Sequence, residues 1–129
     1  PRGLRIELVE IRPAPRGEGK TTEQLLQTEA ARIERALPRG ARRVALDERG
    51  RELGTPAFAK WLEALGLEGR DPAFVIGGAD GLAPQVKRGA ELLLRLSAMT
   101  LPHGLARVLL AEQLYRAATI LGGHPYHRA

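Results

Sequence analysis

Three short stretches of the chain carry groups that could do chemistry. Residues 96–104 read LSAMTLPHG. Leu96, Ala98, Met99 and Leu101 are apolar, Ser97 and Thr100 carry hydroxyls, and His103 follows a proline. That mixture suits an apolar cofactor pocket with a few polar orienting groups. Ser97 or Thr100 would act as a nucleophile only with a base beside it. His103 is the candidate base, but no acidic orienter is evident nearby, which disfavours a hydrolytic triad. His103 reads equally well as the cap of a helix opening at Gly104. Arg107 lies one helical turn further on, so the two side chains can serve one site.

The second stretch is Gly77-Gly78-Ala79-Asp80-Gly81, directly after an apolar run. Glycines there let backbone approach a ligand closely, and in open α/β sheets ligands bind off the carboxyl ends of strands. Neither the dinucleotide fingerprint nor a P-loop is present. A plain strand-to-helix turn needing positive φ explains the same residues. The third stretch is the tail, His124-Pro125-Tyr126-His127-Arg128. Two imidazoles, a phenol and a guanidinium could stack on a base and pair with phosphate; a tail without a fixed role is the alternative. With no carboxylate nearby, the two imidazoles make an incomplete metal site, so no metal is expected.

The elements that must position these groups follow from periodicity. Residues 4–11 (LRIELVEI) alternate as in a half-buried strand, and residues 12–20 (RPAPRGEGK) form a basic loop. Residues 21–37 are predicted helical, with Thr21 and Gln24 at capping-box spacing and a stop at Pro38 and Gly40. Residues 43–47 (RVALD) make a short strand, and ERGREL turns. Thr55 caps a helix with Pro56 in its first turn, and Gly66 stops it. Residues 72–76 (PAFVI) suit a strand covered on both faces. Pro84 opens a helix to about Leu94, and residues 96–101 are a strand or extended loop. The longest helix runs from about Gly104 to Leu121 and is apolar over much of its circumference, which points to a core or a subunit interface. Alternating strands and helices mean an α/β fold with a mainly parallel sheet flanked by helices. No linker divides it, so residues 1–129 read as a single domain.

Composition narrows the classes. The 129 residues contain no cysteine, which excludes disulfides, thiolate catalysis and cysteine-based zinc sites. No apolar run approaches the roughly 18 residues of a membrane span, and no signal peptide is recognisable. A cytoplasmic protein is the expectation. Lys and Arg number 20 against 15 Asp and Glu, a net charge of +5. Arginine supplies most of the positive charge, and its planar fork suits phosphate, but so small an excess is weak evidence for a nucleic-acid partner.

Together, FVIGGADGL and LSAMTLPHGLARVLLAEQLYRAATILGGHPYHR resemble the RlmH family, SPOUT-class methyltransferases of large-subunit ribosomal RNA. IGG, LS-x-x-TLPH, R-x-L-x-x-E-Q-L-Y-R-A and HPYHR are specific in this order. VALDERG followed by T-P-x-F-A fits as well, so the likeness runs from Leu4 to the C-terminus. Family members carry another strand and helix before that point; those elements are missing from the protein or lie outside the present chain.

The resemblance implies a C-terminal trefoil knot, a rare exception to the usual chain topologies. It implies S-adenosylmethionine held by Leu46, Gly77, Gly78, Leu96, Ser97, Ala98, Met99, Thr100 and Leu101. It implies methylation of a pseudouridine ring nitrogen in ribosomal RNA, on the assembled ribosome, by a homodimer. Under it, His127 is the candidate base, with His103 and Arg107 beside it, and His124, Tyr126 and Arg128 hold the RNA. Two rivals stay open: a non-catalytic RNA-binding module on the same fold, and methylation of a different RNA nucleoside.

Overall fold

The computed structural model describes residues 17, 19–77, 81–97, 101 and 103–122, with His103 described by its backbone alone. Four helices and three strands alternate along them: α1 (Thr22–Ala36), β1 (Arg42–Glu52), α2 (Thr55–Leu67), β2 (Pro72–Val75), α3 (Pro84–Arg88), β3 (Leu92–Arg95) and α4 (His103–Leu121). The strands form one sheet in the order β2-β1-β3. Both pairings are parallel, with Ala45 opposite Val75 on one side and Leu93 on the other.

Successive residues of β1 feed opposite faces of the sheet, as a pleated strand requires. Val44 joins Phe58, Ala59, Leu92, Leu94, Leu110, Leu114 and Ala117, which covers one face with α2 and α4. Ala45 joins Ala30, Val75, Leu82, Ala83 and Val86, which covers the other with α1 and α3. Val44 and Ala45 are both fully buried. The result is a three-layer α/β/α arrangement around a parallel sheet, as the alternation of elements predicts.

Local signals explain the start of α1. Thr21 caps it, accepting from the Gln24 amide at 3.1 Å, and the Gln24 side chain accepts from the Thr21 amide at 2.9 Å. Both bonds of the expected capping box are therefore made.

Four sequence expectations need correction. First, the ERGREL turn is mostly strand. β1 runs unbroken to Glu52; its pairing with β3 shifts register by a bulge between Leu46 and Arg51, so Leu46 and Arg51 both face Leu94. Gly50 makes this feasible, because a Cβ there would lie 2.6 Å from the Leu93 carbonyl carbon. Second, Thr55 does not cap α2. Gly54 occupies that position without a side-chain bond, and the Thr55 hydroxyl donates to Gln113 Oε1 at 2.7 Å instead. Third, Gly66 does not stop α2, which runs to Leu67 and turns away at Gly69 with φ +70°.

Fourth, the helix predicted from Pro84 to about Leu94 ends at Arg88, and residues 92–95 are β3. A short leucine run fits a buried helix or a buried strand equally. Burial on both faces decides for strand: Leu92 and Leu94 join one core cluster, and Leu93 packs against the other. α4 opens at His103, one residue ahead of expectation. The strand predicted over residues 4–11, most of the loop over residues 12–20 and the tail from His124 to Arg128 lie outside the described residues.

Candidate active site

Because all three strands run the same way, their carboxyl ends share one edge of the sheet. In the ladder Leu94 sits beside Leu46, and Gly77 follows two residues after Val75, the partner of Ala45. The segments starting at Ile76 and at Leu96 thus leave the sheet about 10 Å apart, two strand spacings. Ile76, Leu46 and Leu96 all pack, half-buried, against the α2–α4 core.

A crevice of about 350 Å³ opens at this edge. Leu53, Phe58, Leu94, Leu96 and Leu109 give it an apolar lining, and Glu52, Thr55, Arg95 and Gln113 supply polar groups. Phe58 is fixed from behind by an edge-on contact with Phe74, centroids 6.1 Å apart, and a stacked one with Trp61 at 6.3 Å. The Thr55–Gln113 bond ties the start of α2 to α4 across the crevice. Arg95 Nη2 lies 3.4 Å from Glu52 Oε2. A second, wider hollow against α1 is lined by Gly19, Lys20, Glu23, Gln24, Gln27 and Thr28, all exposed, and has no apolar wall. The crevice at the strand ends is the better site on chemistry.

The sequence-predicted residues divide as follows. Leu46, Gly77, Leu96 and Ser97 are half-buried and lie at the carboxyl edge. Of these, Leu96 lines the crevice. A Cβ on Gly77 would stand 2.6 Å from the Gly81 carbonyl carbon and 2.7 Å from its oxygen, and Gly81 itself has φ +78°. Both glycines are thus required by the turn, whatever else they do. Leu101 is half-buried just ahead of α4, and Arg107 is exposed on it. Gly78, Ala98, Met99, Thr100, His124, Tyr126, His127 and Arg128 lie outside the described residues, as does the side chain of His103.

Sequence reasoning missed Glu52, Thr55 and Arg95 as site residues. Arg95 fell between a predicted helix ending at about Leu94 and the segment 96–101, and Glu52 lay inside a predicted turn. The available signal was a charged residue closing an apolar run immediately before LSAMTL.

A parallel α/β sheet binds ligands off the carboxyl ends of its strands, and comparison with known proteins gives the class. The family described as predicted SPOUT methyltransferase matches residues 1–127, and the chain belongs to that family. Within it, the chain is 60% identical over all 129 residues to the "Ribosomal RNA large subunit methyltransferase H" of Burkholderia ambifaria, covering 83% of that protein. Proteins of the same name from Burkholderia vietnamiensis and Burkholderia mallei show the same identity and coverage. These likenesses bear out the RlmH resemblance read from the motifs. A methyltransferase requires a methyl donor, and the carboxyl-edge crevice is the place in the described fold to look for it. No helix among the described residues is long and apolar enough to cross a membrane.

The Gly77 contact makes a test. Replacing Gly77 with Ala forces the Gly81 backbone to move and should cost about 1–3 kcal/mol of stability, with loss of methyl-donor affinity. Urea unfolding and calorimetric titration read the two effects. An unchanged midpoint with unchanged affinity would contradict the assigned contact.

Proposed function

We propose that this chain uses S-adenosylmethionine to methylate a ring nitrogen of a pseudouridine in large-subunit ribosomal RNA. In this reading it acts on the assembled ribosome in the cytoplasm, as a homodimer, with residues 1–129 forming one domain whose C-terminal part is threaded into a trefoil knot. The observation that carries the reading is the half-apolar crevice at the carboxyl ends of β1 and β3, on the same edge of the parallel sheet as the end of β2. The substrate class comes from relatives named as large-subunit ribosomal RNA methyltransferases at 60% identity.

The residues fit the donor. Leu96 and Leu109 offer apolar walls for an adenosyl group. Leu46, Gly77, Gly78, Leu96, Ser97, Ala98, Met99, Thr100 and Leu101 would hold the donor, largely through backbone. Arg95 Nε is buried without an acceptor, a donor group suited to a polar ligand. When bound, S-adenosylmethionine supplies a methyl group on a sulfonium, an electrophile for a ring nitrogen. What the chain adds is alignment and proton removal. His127 takes the proton from the ring nitrogen, while His103 and Arg107 orient the nucleoside. Tyr126 and His124 stack against the RNA, and Arg128 pairs with phosphate. The tail of one protomer serves the donor crevice of its partner.

The surface of α4 supports the homodimer. Leu110, Leu114 and Ala117 are buried against the chain's own core, whereas Leu105 is 47% exposed, Val108 60% and Tyr115 38%. These three share one face of the helix at intervals of three and seven residues. An apolar stripe of that kind marks a protein contact surface.

Two experiments test the reading. Tritiated donor should label ribosomes that lack the modification, at a single pseudouridine, and His127→Ala should slow single-turnover labelling at least 100-fold. Label at another nucleoside, or none, would contradict the substrate assignment; an unchanged rate would remove His127 from proton transfer. Val108→Glu should convert a dimer to monomer in sedimentation velocity with the helical circular dichroism retained. A dimer that survives this change does not use the α4 stripe.

A further inference from the structure

The crevice is lined by both members of an ion pair, Glu52 and Arg95, to which no part of the donor has yet been assigned. Among the described residues, two buried side-chain nitrogens make no hydrogen bond, Arg42 Nε and Arg95 Nε. They differ in surroundings. Arg42 Nε is met by Glu91 as an ion pair at the amino edge of the sheet. Arg95 has only Glu52, at 3.4 Å from Nη2, which is long for a hydrogen bond. A buried donor without an acceptor carries a desolvation cost, and a ligand oxygen at that position would remove it.

The position narrows the ligand. Arg95 ends β3 and directly precedes Leu96, where the proposed donor-holding segment 96–101 begins. Glu52 stands opposite Arg95 in the parallel ladder, so a cation and an anion face the same corner. Apolar Leu96 and Phe58 line the crevice beside it. A cation, an anion and an apolar wall together complement a zwitterion on a short apolar stem. A single oxyanion such as a phosphate would use Arg95 and be repelled by Glu52.

We infer that the Glu52–Arg95 corner is the subsite for the amino-acid end of the methyl donor. Arg95 meets the carboxylate through Nε and Nη2, the bidentate edge of its guanidinium, and Glu52 meets the ammonium. The weak, half-exposed pair already present, with side chains 34% and 52% exposed, is cheap to open and pre-sets both charges. This assignment rests on the reading of the chain as an S-adenosylmethionine-dependent enzyme, and the test separates the two.

Two probes differ by the group in question. S-adenosylhomocysteine carries the amino-acid end; 5′-methylthioadenosine keeps the adenosine and thioether and lacks it. Calorimetric titration of the full chain with each gives the contribution of that end. The wild-type protein should bind S-adenosylhomocysteine more tightly. Arg95→Leu should weaken S-adenosylhomocysteine by about 10- to 100-fold and leave 5′-methylthioadenosine unchanged, the second ligand also reporting that the variant is folded. Glu52→Gln should weaken the first ligand alone, by a smaller factor, and Arg95→Lys should restore part of the loss.

Equal losses for both ligands, or none, would overturn the subsite while leaving the donor reading intact. A loss of RNA affinity with donor affinity unchanged would reassign Arg95 to phosphate and also overturn it. Failure of the wild-type protein to bind either probe would overturn the inference together with the donor reading on which it stands.

Discussion

β1 is the constraint on which the rest depends. It is the central strand, paired in parallel with β2 and β3, and its Val44 and Ala45 are fully buried on opposite faces. A parallel pair needs a crossover that covers a face of the sheet. Two parallel partners for β1 therefore account for helices on both sides and for strand ends that meet at a single edge. The chemistry proposed for this chain needs that meeting: a glycine turn after β2 and the segment after β3 can share a ligand only because β1 holds their strands in register.

The two edges of the sheet are treated differently. At the amino edge Arg42 bridges Glu68 at 2.8 Å and Glu91, and Arg70 reaches Glu91 at 3.1 Å and the Gly40 carbonyl at 3.2 Å. Each exposed pair contributes little alone, but together they tie the starts of β1, β2 and β3 to one another. At the carboxyl edge the chain opens instead. β1 bulges between Leu46 and Arg51, and Lys87 pairs with Asp47 at 3.5 Å within the bulge. Arg95 and Glu52 stay loosely engaged. The loosely engaged pair therefore lies at the edge where the donor is proposed to bind, and the denser ion-pair network lies at the opposite edge.

Much of this was legible in the sequence, for physical reasons that also explain the gaps. The capping box at Thr21 and Gln24 is a short-range device, so α1 could be read from its first four residues. The apolar stretch of β2 bounded by Gly77 could be read as a covered parallel strand. The long helix was correctly seen as too apolar for one buried face, and Val108 and Leu105 show where the excess lies. β3 was not legible, because three consecutive leucines carry no period; only pairing with β1 distinguishes strand from helix. The return of β1 at Arg51 and Glu52 was also hidden, since it depends on the close approach of Gly50 to Leu93 rather than on any local preference. Arg95 and Glu52 became visible as a site only once both of these were in place. The motifs of residues 96–104 and of the tail pointed to the family without any geometry.

The most direct test of the central claim is hydrogen–deuterium exchange with and without S-adenosylmethionine. If the carboxyl edge holds the donor, amides around Gly77 and around Leu96 and Ser97 should gain protection together, while the exposed turn ahead of α1 at Gly19 and Lys20 stays unchanged. Protection confined to α1, or to only one of the two strand-end segments, would contradict the account.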